Sequence, residues 1–178
     1  MAKINSKDTK AILIGVSEFQ DKANFVNAAP IKNNVPKIKE LLRDPVILGL
    51  PDENILVFTE NEKHDEILKG IKTFLSESVD TIIFYFAGHG YKTKNGDFYM
   101  VTNNSYADWI ASTAIPWKTI KNMLQQGSGI QQRFYILDAC HSGAATLSAD
   151  ENMLEIPKGS AIIAAASEDE KAYFNKKN

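Results

Sequence analysis

Five short apolar runs set the strongest limit on what this 178-residue chain can fold into. They cover residues 11–16, 54–59, 81–87, 133–138 and 160–166, and they are rich in Ile, Leu, Phe, Tyr and Ala. Runs this short and this continuous read as strands buried on both faces, the habit of parallel sheets. Between them lie segments whose apolar residues recur at helical spacing. These are residues 31–43 (Ile31, Val35, Ile38, Leu41, Leu42), residues 64–78 (Ile67, Leu68, Ile71, Phe74, Leu75) and residues 116–126. Pro36 is tolerable in the first turn of the first of them, and Pro116 opens the third ahead of Gly127-Ser128-Gly129. Strands alternating with helices predict an α/β fold: a mostly parallel central sheet in a three-layer α-β-α sandwich. Lys94-Asn95-Gly96-Asp97 predicts a hairpin turn between residues 91 and 102, and the acidic, weakly patterned stretch 144–158 predicts an exposed loop.

Bulk properties exclude several classes of function. The net charge of -2 argues against nucleic acid or an anionic membrane as partner. No apolar run reaches the roughly 20 residues of a membrane-spanning helix, and residues 1–7 lack the apolar stretch of a secretory signal. One cysteine makes neither an internal disulfide nor a thiolate metal site. The expectation is a cytoplasmic protein of one domain, with a free thiol and no cofactor.

That cysteine stands at the exit of the fourth run, in Leu137-Asp138-Ala139-Cys140-His141-Ser142-Gly143, and the third run exits into Ala87-Gly88-His89-Gly90. In doubly wound sheets the working residues gather at the carboxyl ends of strands. A thiol and an imidazole at one such edge are the minimum for a nucleophile and its proton-transfer partner. Free cysteines are also among the most buried residue types, so a packing role competes for Cys140. Its place among Asp138, His141, Ser142 and Gly143, past the end of a strand, favours the nucleophile. His89 competes with a plain loop histidine; glycine on both sides lets backbone and substrate approach and frees the Gly90 N–H for an oxyanion. The Cys140 N–H is the natural second donor. His141, adjacent to Cys140, competes for the role of base, but neighbouring residues usually point apart, which favours His89; His64 opens a helix as a solvated or capping residue.

The pair Phe86-Ala87-Gly88-His89-Gly90 and Leu137-Asp138-Ala139-Cys140-His141-Ser142-Gly143 resembles the caspase-like peptidases, nearest their prokaryotic and metacaspase branch. The 51 positions between His89 and Cys140 belong to that resemblance. It extends from residues 12–16, through Asn33-Asn34, to residues 159–167. The resemblance implies a caspase-like sandwich and a cysteine endopeptidase in which Cys140 attacks a peptide carbonyl and His89 shuttles the proton. Gly90 and Cys140 amides would hold the oxyanion, with no third catalytic side chain.

It also implies that Asp138, two residues before the nucleophile, helps form an acidic pocket for Lys or Arg; the competing reading is a turn cap. The family's Asn-Asp pair on the first helix reads Asn33-Asn34 here, so a second pocket carboxylate is missing. The acidic insertion that carries calcium in many metacaspases is replaced by residues 91–97, with one acid and two lysines, so no calcium dependence is expected there. Residues 144–158 fall where the family carries an intersubunit loop, with Lys158 the self-cleavage candidate and Lys171, Lys176 and Lys177 later ones. The chain corresponds to a large-subunit portion, so a C-terminal small-subunit segment or regulatory domain beyond residue 178 is an expected partner, beside a peptide or protein substrate. The rival reading is an inactive caspase-like binding or assembly module. A nucleotide-binding or phosphoacceptor domain is disfavoured, since Gly15-Val16-Ser17-Glu18-Phe19 lacks the dinucleotide glycine spacing and no Walker lysine is present.

Overall fold

The computed structural model describes residues 4–139 and 159–165. Among them, β1 (Thr9–Gly15), β2 (Ile55–Phe58), β3 (Thr81–Gly88), β7 (Gln132–Ala139) and β8 (Ser160–Ala164) form one sheet. Its order is β2-β1-β3-β7-β8, every pair parallel. The helices are α1 (Asn34–Arg43), α2 (His64–Phe74), α3 (Ile110–Thr113) and α4 (Trp117–Gln126). A second, antiparallel sheet joins β4 (Gly90–Lys92), β5 (Phe98–Met100) and β6 (Ile115–Pro116).

The two faces of the main sheet carry separate cores. Ala11, Leu13, Ile83 and Tyr85 face Ile31, Val35, Ile38 and Leu42 of the α1 layer. Ile12, Ile14, Ile82, Phe84 and Phe86 face Ile67 and Ile71 of α2 and Trp117, Ile120 and Leu124 of α4. Successive strand residues point to opposite faces, so both faces must be apolar for both to be covered. This is the three-layer sandwich expected from the unbroken runs.

The boundaries moved in instructive ways. Residues 31–33 belong to a 3-10 turn, Ala29–Asn33, that feeds α1, and Pro36 does lie in the first turn of that helix. Helix α2 stops at Phe74, since Leu75 leaves helical geometry. The hairpin forms as expected, with Gly96 at φ 89°, a conformation that favours glycine. Strand β6 was not foreseen: a two-residue strand is below what periodicity can register, and Pro116 caps α4 from within it. Cys140, His141, residues 144–158 and the C-terminal lysines lie outside the described residues.

The order in which strands are added switches sides between β1 and β3. After β1 the chain passes to the α1 face and on to β2; after β3 it passes by way of the hairpin to the α4 face. Loops leaving β1 and β3 therefore part company and open a crevice at the carboxyl edge, the usual ligand position in such sheets.

Candidate active site

His89 lies at that crevice. Strand β3 ends at Gly88 and β4 begins at Gly90, so the histidine occupies the single position between two strands. Gly88 has little room for a side chain: a Cβ there would meet the Phe86 ring at 2.9 Å and the Val16 carbonyl at 3.4 Å. The imidazole is half-buried against Phe19, centroids 4.7 Å apart, and Phe25, at 5.9 Å, with Tyr91 edge-on to Phe25. Its Nε2 lies 2.6 Å from the Val26 carbonyl oxygen. A carbonyl only accepts, so Nε2 carries the proton and, in the neutral ring, Nδ1 is the basic nitrogen.

The partner strand is in register. Phe86 pairs with Leu137, Ala87 with Asp138 and Gly88 with Ala139, so His89 and Cys140 are the next residues out of two adjacent strands. Gly90 pairs with Met100 at the start of β4 rather than sitting in an open loop.

Asp138 lies on the α1 face of β7, half-buried, and its Oδ2 accepts a hydrogen bond from Asn34 Nδ2 at 3.3 Å. It is therefore a strand residue tied to a helix, and the turn-cap alternative does not describe it. Burial raises its pKa above the ordinary carboxylate value. The phenol of Tyr85 is pushed up to about 12, by burial first and then by the charge of Asp138, while the Asn34 side chain hydrogen-bonds to it. Asn34 thus supplies an amide to both Asp138 and Tyr85.

Basic groups are sparse at this edge. Arg133 is the second residue of β7, with Nε on the Leu124 carbonyl, and Arg43 ends α1, close to Asp52; both belong to the opposite, amino edge of the sheet. Lys32 is held by Glu18. Glu60 accepts from the backbone N–H of Ser17 at 3.2 Å and from its hydroxyl. Burial pushes the Glu60 carboxyl up, but the Ser17 hydrogen bonds and the nearby Lys32 charge outweigh it, and its pKa is lowered. Among the described residues no three His, Cys, Asp or Glu side chains are grouped to hold a metal ion.

Sequence reasoning missed Val26, because a backbone carbonyl carries no side-chain signature. The signal at hand was Phe19 and Phe25, two aromatic residues in an otherwise polar loop.

A family model described as the caspase domain matches residues 8–177. The chain belongs to the caspase-domain family. Its fold is similar to that of caspase-1 from Spodoptera frugiperda, at a TM-score of 0.66 and 16% sequence identity. That match covers 97% of this chain and 65% of the caspase-1 chain, so this chain spans somewhat less than two thirds of it. No curated protein matches the sequence. No helix among the described residues is long and apolar enough to cross a membrane.

Proposed function

We propose that this chain is the large-subunit portion of a caspase-like cysteine endopeptidase that cleaves after Lys or Arg. The observation that carries the reading is His89 at the exit of β3, its Nε2–H given to the Val26 carbonyl, beside the strand that leads into Cys140. In the first half-reaction the Cys140 thiol gives its proton to Nδ1 of His89 and Sγ bonds to the scissile carbonyl carbon. The oxyanion takes hydrogen bonds from the Gly90 and Cys140 amides. Collapse breaks the C–N bond as Nδ1 protonates the leaving amine. Water then gives a proton to Nδ1 and attacks the thioester, the C–S bond breaks, and the departing sulfur takes that proton back from Nδ1, which restores the thiol and the neutral imidazole. The Val26 carbonyl stabilises the imidazolium at each protonated stage, the role a third side chain fills in other hydrolases.

Asp138 is the pocket acid in this reading. A half-buried carboxylate with an amide neighbour pairs with a cationic side chain and repels an acidic one. The arginines that would be needed to hold an acidic side chain stand at the far edge of the sheet. Residues 144–158 act as the intersubunit loop, with Lys158 the bond cut in self-processing, and a small-subunit segment completes the pocket wall. The motif before His-Ser-Gly favours the metacaspase branch, and a thiol nucleophile suits the reducing cytoplasm.

The test compares wild type with Cys140→Ala on fluorogenic peptides ending in Arg, Lys, Asp or Asn. Turnover after Arg or Lys that disappears in the variant supports the whole reading. Cysteine-dependent turnover after Asp or Asn keeps the mechanism and removes the pocket assignment. Turnover that persists in Cys140→Ala removes the mechanism.

A further inference from the structure

Val26 is 69% exposed, so its own side chain does nothing to hold its carbonyl on His89. The loop that carries it, residues 16–28, has no strand or α-helix of its own. Packing of Phe19 and Phe25 on the imidazole brings the loop close, but ring contacts are broad in angle and do not aim a carbonyl. Something else must fix the direction.

Residues 101–107 are placed to do so. At one end, the Val101 N–H donates to the carbonyl of His89 itself at 2.9 Å. Along its length the segment is bound to the Val26 loop. Asn103 Nδ2 donates to the Glu18 carbonyl at 2.9 Å, and the Gln20 N–H donates to the Asn103 carbonyl at 2.8 Å. Gln20 Nε2 donates to Asn103 Oδ1 at 3.1 Å, and the Tyr106 hydroxyl donates to Gln20 Oε1 at 3.1 Å. At the other end, the Ala107 N–H donates to Asp21 Oδ2 at 3.0 Å.

Asp21 passes that restraint on. Its carboxylate also accepts from Asn24 Nδ2, at 3.1 and 3.0 Å, and its carbonyl accepts from the N–H of Phe25 at 2.9 Å, one residue before Val26. The segment is itself anchored, for Thr102 and Ser105 are fully buried, and Ser105 Oγ donates to the Thr113 carbonyl at 2.9 Å. The hydrogen bonds therefore close a ring: His89 carbonyl, residues 101–107, Asp21, Val26 carbonyl, His89 Nε2.

We propose that residues 101–107 brace the Val26 carbonyl against His89, and that Asp21 is the positioning residue joining the brace to the loop. The proposal rests on the peptidase reading for its catalytic consequence, though not for its structural one. The Ala107 amide, and then the Asn24 side chain, hold the Asp21 carboxyl below its ordinary pKa, as hydrogen bonds to the charged form do.

The experiment measures Asp21→Ala, Asp21→Asn and Asn103→Ala against wild type in two ways. Steady-state kinetics on the preferred peptide separates kcat from KM, and 15N NMR of the three histidine rings reads the His89 tautomer. For Asp21→Ala, kcat falls about ten-fold with KM changed less than about two-fold, because a carbonyl swung off line no longer steadies the imidazolium. Asp21→Asn keeps one acceptor oxygen for Ala107 and recovers kcat to within about three-fold of wild type. In the NMR, wild-type His89 is the Nε2–H tautomer, while Asp21→Ala and Asn103→Ala show a mixture.

Unchanged kcat and tautomer in Asp21→Ala and Asn103→Ala overturn the proposal. So does a loss of kcat without a tautomer change, or a loss confined to KM. If Asp21→Ala does not fold, Asp21→Asn and Asn103→Ala decide. If wild type has no peptidase activity, the function proposed above fails by itself, and the tautomer still decides the brace.

Discussion

At the scale of single residues, the site turns on which group holds a proton and which holds a charge. His89 has its tautomer set by one backbone carbonyl, and Asp138 carries a charge opposed by burial and supported by the Asn34 amide. Replacing Asp138 with Asn removes the charge and keeps the shape. We expect kcat/KM on an arginyl peptide to fall by about 100-fold or more, the usual cost of losing one member of a desolvated charge pair. A peptide with a neutral residue at the same position should change by only a few-fold, and the ratio of the two is the measurement. The same carboxylate gives a pH dependence of definite sign. Its pKa lies above the ordinary value, so lowering the pH protonates it earlier than a solvated aspartate and removes the attraction for a cation. KM for the arginyl peptide should therefore rise as the pH falls toward that raised pKa, and KM for the neutral peptide should stay flat.

At the scale of elements, the proposed pocket depends on how closely α1 lies on β1. A Cβ added at Gly15 would stand 2.5 Å from Val35 Cγ2, so glycine is needed there for space rather than for backbone freedom. Val35 is stiff in a helix and has no easy rotamer to retreat to. Gly15→Ala should cost about 1–3 kcal/mol in urea unfolding, in the range of other overpacked sites. Gly15→Ala combined with Val35→Ala should be less destabilised than the sum of the two, because the second change removes the clash. Helix α1 begins with Asn34, so the single variant should also weaken selection for arginyl over neutral peptides, and the double variant should recover part of it. The crossings that put α1 on one face and α2 and α4 on the other follow from right-handed strand-helix-strand connections.

At the scale of the whole molecule, stability rests on a sheet buried from both sides. Phe84 is fully buried at its centre, with its ring 6.1 Å from Trp117 of the opposing helix. Truncation to Ala should cost about 3–5 kcal/mol, read as a lower urea midpoint with the slope unchanged. Coverage is uneven across the sheet. On β7 the residues facing α2 and α4 are buried, while Phe134, Ile136 and Asp138 on the α1 face are only partly so. Ile163 on β8 is 65% exposed. That gradient leaves Asp138 half-buried while Phe84 is fully enclosed.

The sequence by itself determined the layers and the edge at which the candidate residues stand. Continuous apolar runs admit few arrangements other than a covered parallel sheet, and Ala87-Gly88-His89-Gly90 and Asp138-Ala139-Cys140 each sit at the exit of such a run. Tertiary structure alone decided what surrounds those exits. Strand order brought β3 beside β7, and the carbonyl on His89 came from a loop 63 residues away. The amide on Asp138 came from a helix 104 residues away. Those partners have no local pattern, because a backbone carbonyl is the same at every residue and a hydrogen bond between distant segments depends on how the layers close. Periodicity records which face of an element is apolar; it does not record which loop comes to rest against a ring.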